Sequence, residues 1–144
     1  MEDGISSARL DLDTGERFQR LRADLGVTSF GLNLIVLQPG QRGRVHRHEH
    51  QEEVYVVLEG TLTLALDDGE ERTFETGELV RVAPDLRRQL VNRQRRRLAL
   101  LALGGYGEHE GRDGVAFESW ESTEGRRPQE TPAPEDLPES ELLP

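Results

Sequence analysis

The sequence predicts an all-β sandwich or barrel, and three observations carry that expectation. Short apolar segments recur from residue 30 onward, at 30–37, 54–58, 61–66, 79–83, 88–91 and 98–103. Turn residues separate them: Pro39-Gly40, Glu59-Gly60, Asp67-Asp68-Gly69 and Thr76-Gly77 supply glycine for positive φ or aspartate for a local side-chain turn. In 61–66, Thr61, Thr63 and Ala65 alternate with Leu62, Leu64 and Leu66, which is the period of a strand with one apolar face.

Taken in order, residues 1–25 form an N-terminal segment expected to pack on the barrel. Leu10, Leu12, Phe18, Leu21 and Leu25 are spaced for either short strands or a brief helix. The barrel is expected over 26–118. Two of its segments, Val54-Tyr55-Val56-Val57-Leu58 and Leu98-Ala99-Leu100-Leu101-Ala102-Leu103, are apolar on both faces, so each should lie between the interior and a covering layer. A partner subunit could be that layer, and a homodimer is expected. Phe117 and Trp120 follow the last strand and should anchor the C-terminal segment. Residues 119–144 end in a stretch holding most of the prolines and six acidic side chains against two arginines, the composition of a disordered acidic tail.

Composition removes several function classes. The 144 residues suit one domain. A net charge of −10 would repel a polyanion, so nucleic acid is not expected as a partner. Every basic residue is arginine, which excludes a catalytic lysine, and the absence of cysteine excludes disulfides and thiolate ligands. Any metal must use nitrogen and oxygen donors. The first residues lack a basic-then-apolar leader and no apolar run is long enough to span a bilayer, so the expectation is a cytoplasmic protein without a membrane partner.

The chemistry concentrates between Gly40 and Gly60. Five residues separate Gly40 from His46-Arg47-His48, four more lead to Glu53, and six more to Gly60. His46 and His48, two apart on a strand, project to one face, and Glu53 opens the next strand. Two neutral imidazoles and a carboxylate suit a divalent transition metal such as Fe, Mn, Ni or Zn. Tyr55 and Val57 share parity with Glu53 and should face the interior, where Tyr55 is either a hydroxyl offered to a ligand or core filling.

This spacing resembles the first motif of the cupin family: a Gly, five residues, His-x-His, three or four residues, Glu, six residues and Gly. A second motif should follow, with Gly, five residues, Pro-x-Gly, two residues, His, three residues and Asn. Gly77 and Asn92 stand at its ends, but Ala83 replaces the Pro, Asp85 the Gly and Arg88 the metal-binding His. The resemblance, to the small single-domain conserved-barrel (type 2) branch, implies an all-β cupin double-stranded β-helix, or jelly-roll, barrel. It also implies His46, His48 and Glu53 as metal ligands.

Arg88 divides the functional expectation. A guanidinium stays protonated and has no lone pair to donate, so it cannot be a ligand. It either binds the anionic part of a ligand beside a retained metal or neutralises Glu53 in a buried ion pair that displaces the metal. The first function carried forward is a small-molecule-binding cupin, with Arg88 favouring an anionic ligand. The alternative is a metal-dependent oxygenase or isomerase acting on a small anionic substrate. His50 continues the parity of 46 and 48 but is expected in a turn, the cluster Arg93, Arg95, Arg96 and Arg97 is expected as a solvated hairpin, and His109 as a loop residue.

Overall fold

The computed structural model describes residues 3–105 and 113–143. Ten strands form two five-stranded sheets. They are β1 (Phe18–Gln19), β2 (Gly31–Leu37), β3 (Val45–His48), β4 (Glu52–Glu59), β5 (Thr61–Leu66), β6 (Glu71–Glu75), β7 (Leu79–Val82), β8 (Arg88–Val91), β9 (Leu98–Gly105) and β10 (Gly114–Phe117). The first sheet runs β1-β2-β9-β4-β7 and the second β10-β3-β8-β5-β6, with every pairing antiparallel. Consecutive strands that switch sheets, such as β3 to β4, close the two layers around one interior, as the jelly-roll expectation requires.

That interior is filled by alternate residues from both sheets. Tyr55 and Val57 of β4, Leu62, Leu64 and Leu66 of β5, Leu90 of β8 and Leu98, Leu100 and Ala102 of β9 form one buried cluster. All four expected turn glycines have positive φ, between 81° and 92°. At Gly60 the requirement is double: φ is 82°, and a Cβ there would lie 2.4 Å from the carbonyl oxygen of Arg97. Asn92 closes the β8–β9 connection, its side-chain amide donating to the carbonyls of Leu37 and Arg96 while its oxygen accepts from the Gln94 N–H.

The covering layers are where the structure adds to the sequence reading. Over β2 and β9 the layer is the chain's own N-terminal segment: the short helix α1 (Leu21–Leu25) seats Leu21 with Leu34, Val36 and Ala99, and Leu12 packs on the same cluster. Strand β5 is buried on both faces, because the C-terminal segment covers its outer side. There Leu137 packs with Ala65 and Val91, joined by Trp120 and Leu142.

The stretch read from composition as a solvated acidic tail thus lies along the barrel over 126–143. Its backbone explains how a polar, proline-rich stretch can do so. The N–H groups of Leu137 and Leu143 donate to the carbonyls of Gly40 and Arg93, and the side chains of Arg42 and Arg44 donate to the carbonyls of Glu135 and Thr131. Proline cannot donate, but an extended strap needs few donors, and each well-buried leucine stabilises it by roughly 1.5–3 kcal/mol.

The expected anchors behave as read. Phe117 is buried, the Trp120 indole donates to Gln89, and the Arg87 guanidinium lies 4.7 Å from the Phe117 ring centre. The arginine cluster is a set of ion pairs, Arg93 with Glu71, Arg95 with Glu139 and Arg97 with both Glu59 and Asp13. Among the described residues no helix is long and apolar enough to cross a membrane.

Candidate metal and ligand site

The two sheets bring the predicted site together from opposite walls. His46 and His48 come from β3, Glu53 and Tyr55 from β4, and Arg88 from β8. Residue 88 is the direct cross-strand partner of His46, so its side chain must share the inward face with the imidazole. The register therefore explains why the second motif's residue at this place reaches the first motif's residues.

Glu53 is the hub, and one oxygen does most of the work. Its Oε1 lies 3.4 Å from His46 Nε2 and 3.3 Å from His48 Nε2. The same atom accepts from Tyr55 Oη at 2.6 Å and from Arg88 Nη2 at 2.5 Å. Burial pushes the Glu53 carboxyl up, but hydrogen bonds from both imidazoles and the positive charge of Arg88 outweigh it and hold the group well below the usual carboxylate range. Tyr55 moves the other way: burial, then the neighbouring Glu53 charge, pushes its hydroxyl well above its ordinary value. It stays a neutral donor.

The second-layer contacts set the imidazole tautomers. His46 Nδ1 lies 3.1 Å from the carbonyl oxygen of Arg44, which can only accept, so Nδ1 carries the hydrogen and Nε2 faces the site. His48 Nδ1 makes no hydrogen bond but lies 3.5 Å from the Asp113 carboxylate, whose charge favours the same tautomer. With Nδ1 turned away, each Nε2 faces the Glu53 carboxylate, donating a hydrogen bond when the ring is doubly protonated and offering a lone pair to a metal ion when it is neutral. The three ligand atoms lie within 4.8 Å of one another. The residues present therefore fit a divalent cation with two imidazoles and one carboxylate.

Of the two places expected for Arg88, it takes the buried ion pair with Glu53 and not a place on the cavity wall. It is fully buried and does not line the cavity. Its Nη1 donates to the carbonyls of Ala83, Pro84 and Leu86, its Nη2 to Glu53, and its Nε lies 3.5 Å from Tyr55 Oη. Burial opposes the charge, but Tyr55 and Glu53 more than offset it and the guanidinium stays protonated. The stretch 83–87, where the second motif loses its Pro and Gly, supplies the carbonyl cradle for the arginine. Tyr55 does line the cavity, with its hydroxyl directed to Glu53.

The cavity itself has a volume of about 1000 Å³. His46, His48, Glu53 and Tyr55 form its inner end. Ile35, Leu37, Leu90, Ala102 and Ala116 line its apolar wall, and exposed residues of the N-terminal segment and of the strap form its rim.

One residue beside the site escaped sequence reading. Asp113 is buried and accepts the backbone N–H groups of His50 and Gln51 at 2.8–3.0 Å, and its carboxylate is 3.1 Å from His50 Nδ1. Burial raises its pKa, but those backbone and side-chain hydrogen bonds and the charge of His48 bring the net position below the ordinary value. His50 sits in the expected turn, on this aspartate and not on the metal-ligand set. His109 lies outside the described residues.

Comparison with known proteins agrees with this construction. The family model for the cupin domain, Cupin_2, matches residues 33–104. No curated protein matches the sequence. Among solved structures, the chain is similar to a cupin protein from Bacteroides fragilis, with 22% identity over 76% of this chain and 91% of that one and a TM-score of 0.63. It is also similar to a Cupin 2 conserved barrel domain protein from Salinispora arenicola, with 30% identity over 68% and 82% of the two chains and a TM-score of 0.57. A Silicibacter pomeroyi protein described as a sugar phosphate isomerase from a cupin superfamily has 25% identity over 93% and 95% and a TM-score of 0.58. With the motif spacing, the two-sheet barrel and these matches in agreement, the chain belongs to the cupin family, as a conserved-barrel member whose second motif carries Arg88 in the histidine's place.

Proposed function

We propose that this cupin binds a small organic molecule in its barrel cavity and that His46, His48 and Glu53 hold a divalent transition metal at the cavity's inner end. The observation that supports it is the convergence of three ligand atoms, two of them with metal-ready tautomers, at the closed end of a cavity of about 1000 Å³. Arg88 serves as a fixed counter-charge to Glu53, so three ligands remain and further coordination positions are left for the ligand. When bound, the metal supplies Lewis acidity toward a ligand oxygen. The protein's own part is to hold Nε2 of both imidazoles toward the site and to keep Glu53 ionised.

The test is metal analysis and thermal unfolding of protein purified without a histidine tag. Stoichiometric Fe, Mn, Ni or Zn, or a rise in Tm on adding one of them, is expected for the native chain and lost in His46→Ala. A native chain that neither carries nor takes up any of these ions would overturn the metal half.

A second reading is a metal-dependent isomerase acting on a small anionic substrate. It is supported by the likeness, over nearly the whole chain, to the protein described as a sugar phosphate isomerase. Turnover of a sugar phosphate by metal-loaded protein, followed by NMR, separates it from binding alone. The same proposal includes a homodimer that covers the β4–β7 end of the first sheet's outer face, where Leu79 is 65% exposed beside half-buried Val54, Val56 and Leu103. A monomeric mass by light scattering at micromolar concentration would remove it.

A further inference from the structure

We infer that the ligand of this cavity is a small oxyanion, an organic phosphate or carboxylate, whose charged group docks on the rim arginines Arg17, Arg20, Arg44 and Arg127 while its uncharged body reaches the inner end. The inference rests on the proposed binding function and names its ligand class.

Charge distribution carries the argument. The protein as a whole has a net charge of −10, yet four arginines line this one cavity against Glu16 and Glu130 at the same rim. With Glu53 matched by Arg88 inside, the remaining charge that faces a ligand is positive. A concave, partly enclosed surface concentrates that field.

The arginines also keep donors to offer. Arg20 and Arg127 make no ion pair or side-chain hydrogen bond among the described residues. Arg44 spends only its Nε, on the Thr131 carbonyl. Arg17 is held in place by the Arg42 carbonyl at 3.1 Å and by Asp136 at 3.5 Å. Guanidinium forks match carboxylate and phosphate oxygens in a way a neutral ligand does not need. Arg88 contributes no donor to this rim, because its contacts are all internal. Between rim and inner end the wall is aliphatic, so the body between the anion and the polar inner end is expected to be carbon-rich or compact.

The test is an NMR titration of the full chain with inorganic phosphate, glucose 6-phosphate and glucose, reading backbone amide and arginine Nε–H signals. Both phosphates are expected to move the rim signals of the native protein. Affinity for glucose 6-phosphate should fall about tenfold or more in an Arg20→Ala/Arg127→Ala double variant. Both positions are exposed, so the variant should stay folded, and Arg72→Ala, away from the cavity, should bind as the native chain does. Native protein whose rim ignores both phosphates, or a double variant that binds them unchanged, overturns the inference. Glucose moving the inner-end signals in that case would leave the proposed cavity binding standing. If none of the three probes moves any cavity signal, both readings fall.

Discussion

The inner end of the cavity and the turn beside it each bury a carboxylate, and they satisfy it by opposite means. Glu53 is met by four side chains, His46, His48, Tyr55 and Arg88, all reaching one oxygen from three strands. Asp113 is met mainly by the backbone, through the N–H groups of His50 and Gln51. Backbone donors cannot be withdrawn without unfolding the turn, so Asp113 fixes shape. Side-chain donors can be exchanged for another positive centre, so Glu53 sits where chemistry can change.

Four substitutions sharpen that contrast. The largest effect is expected from Arg88→Ala, which leaves Glu53 buried without its permanent counter-charge and should cost about 3–5 kcal/mol in urea unfolding. A loss below about 1 kcal/mol would mean that the imidazoles carry the neutralisation alone. Arg88→His is the informative companion, because it restores a possible fourth ligand and should raise metal affinity in a chelator competition.

Asp113→Asn should cost less, about 1–3 kcal/mol, because an amide oxygen still accepts one backbone bond. Since the folded pKa lies below the ordinary value of 3.8, the aspartate's stabilisation is fully present above about pH 4 and is lost as pH falls through the folded value. The stability gap between native and variant protein should therefore be widest at neutral pH and close in acid. A gap that widens in acid would reverse the assigned direction. The smallest effect is expected from Tyr55→Phe, about 1 kcal/mol. It removes one donor to Glu53 and keeps the ring in the core, and loss of the whole fold would show the phenol to be more than a donor.

The same contrast explains what the sequence made legible. Glu53 was readable because its partners are few residues away or fall at motif spacings, and because strand parity puts His46 and His48 on one face. Arg88 was recognisable as the residue in the histidine's place, but its direction was not. Whether a guanidinium turns into the cavity or back onto carbonyls depends on the path of 83–87, which no periodicity encodes. Asp113 gave no signal, since its partners are anonymous backbone N–H groups more than sixty residues away in sequence.

The strands were readable from 30 to 103 because turn glycines and apolar runs alternate there. The strap was misleading for a related reason. Composition averages over a stretch, whereas its docking depends on single residues, Leu137 above all, and on carbonyls that accept from Arg42 and Arg44.

That strap belongs to two surfaces at once. Its first half, near Arg127 and Pro134, frames the cavity entrance, and its second half, at Leu137 and Leu142, is seated on the back of β5 and β8. Loosening the rear seat therefore changes the doorway, although the two lie on different sides of the sheet. A bulky fusion joined after Leu143, or a protease cut near Glu135, would act like a hand on a hinge and be felt by whatever enters the barrel.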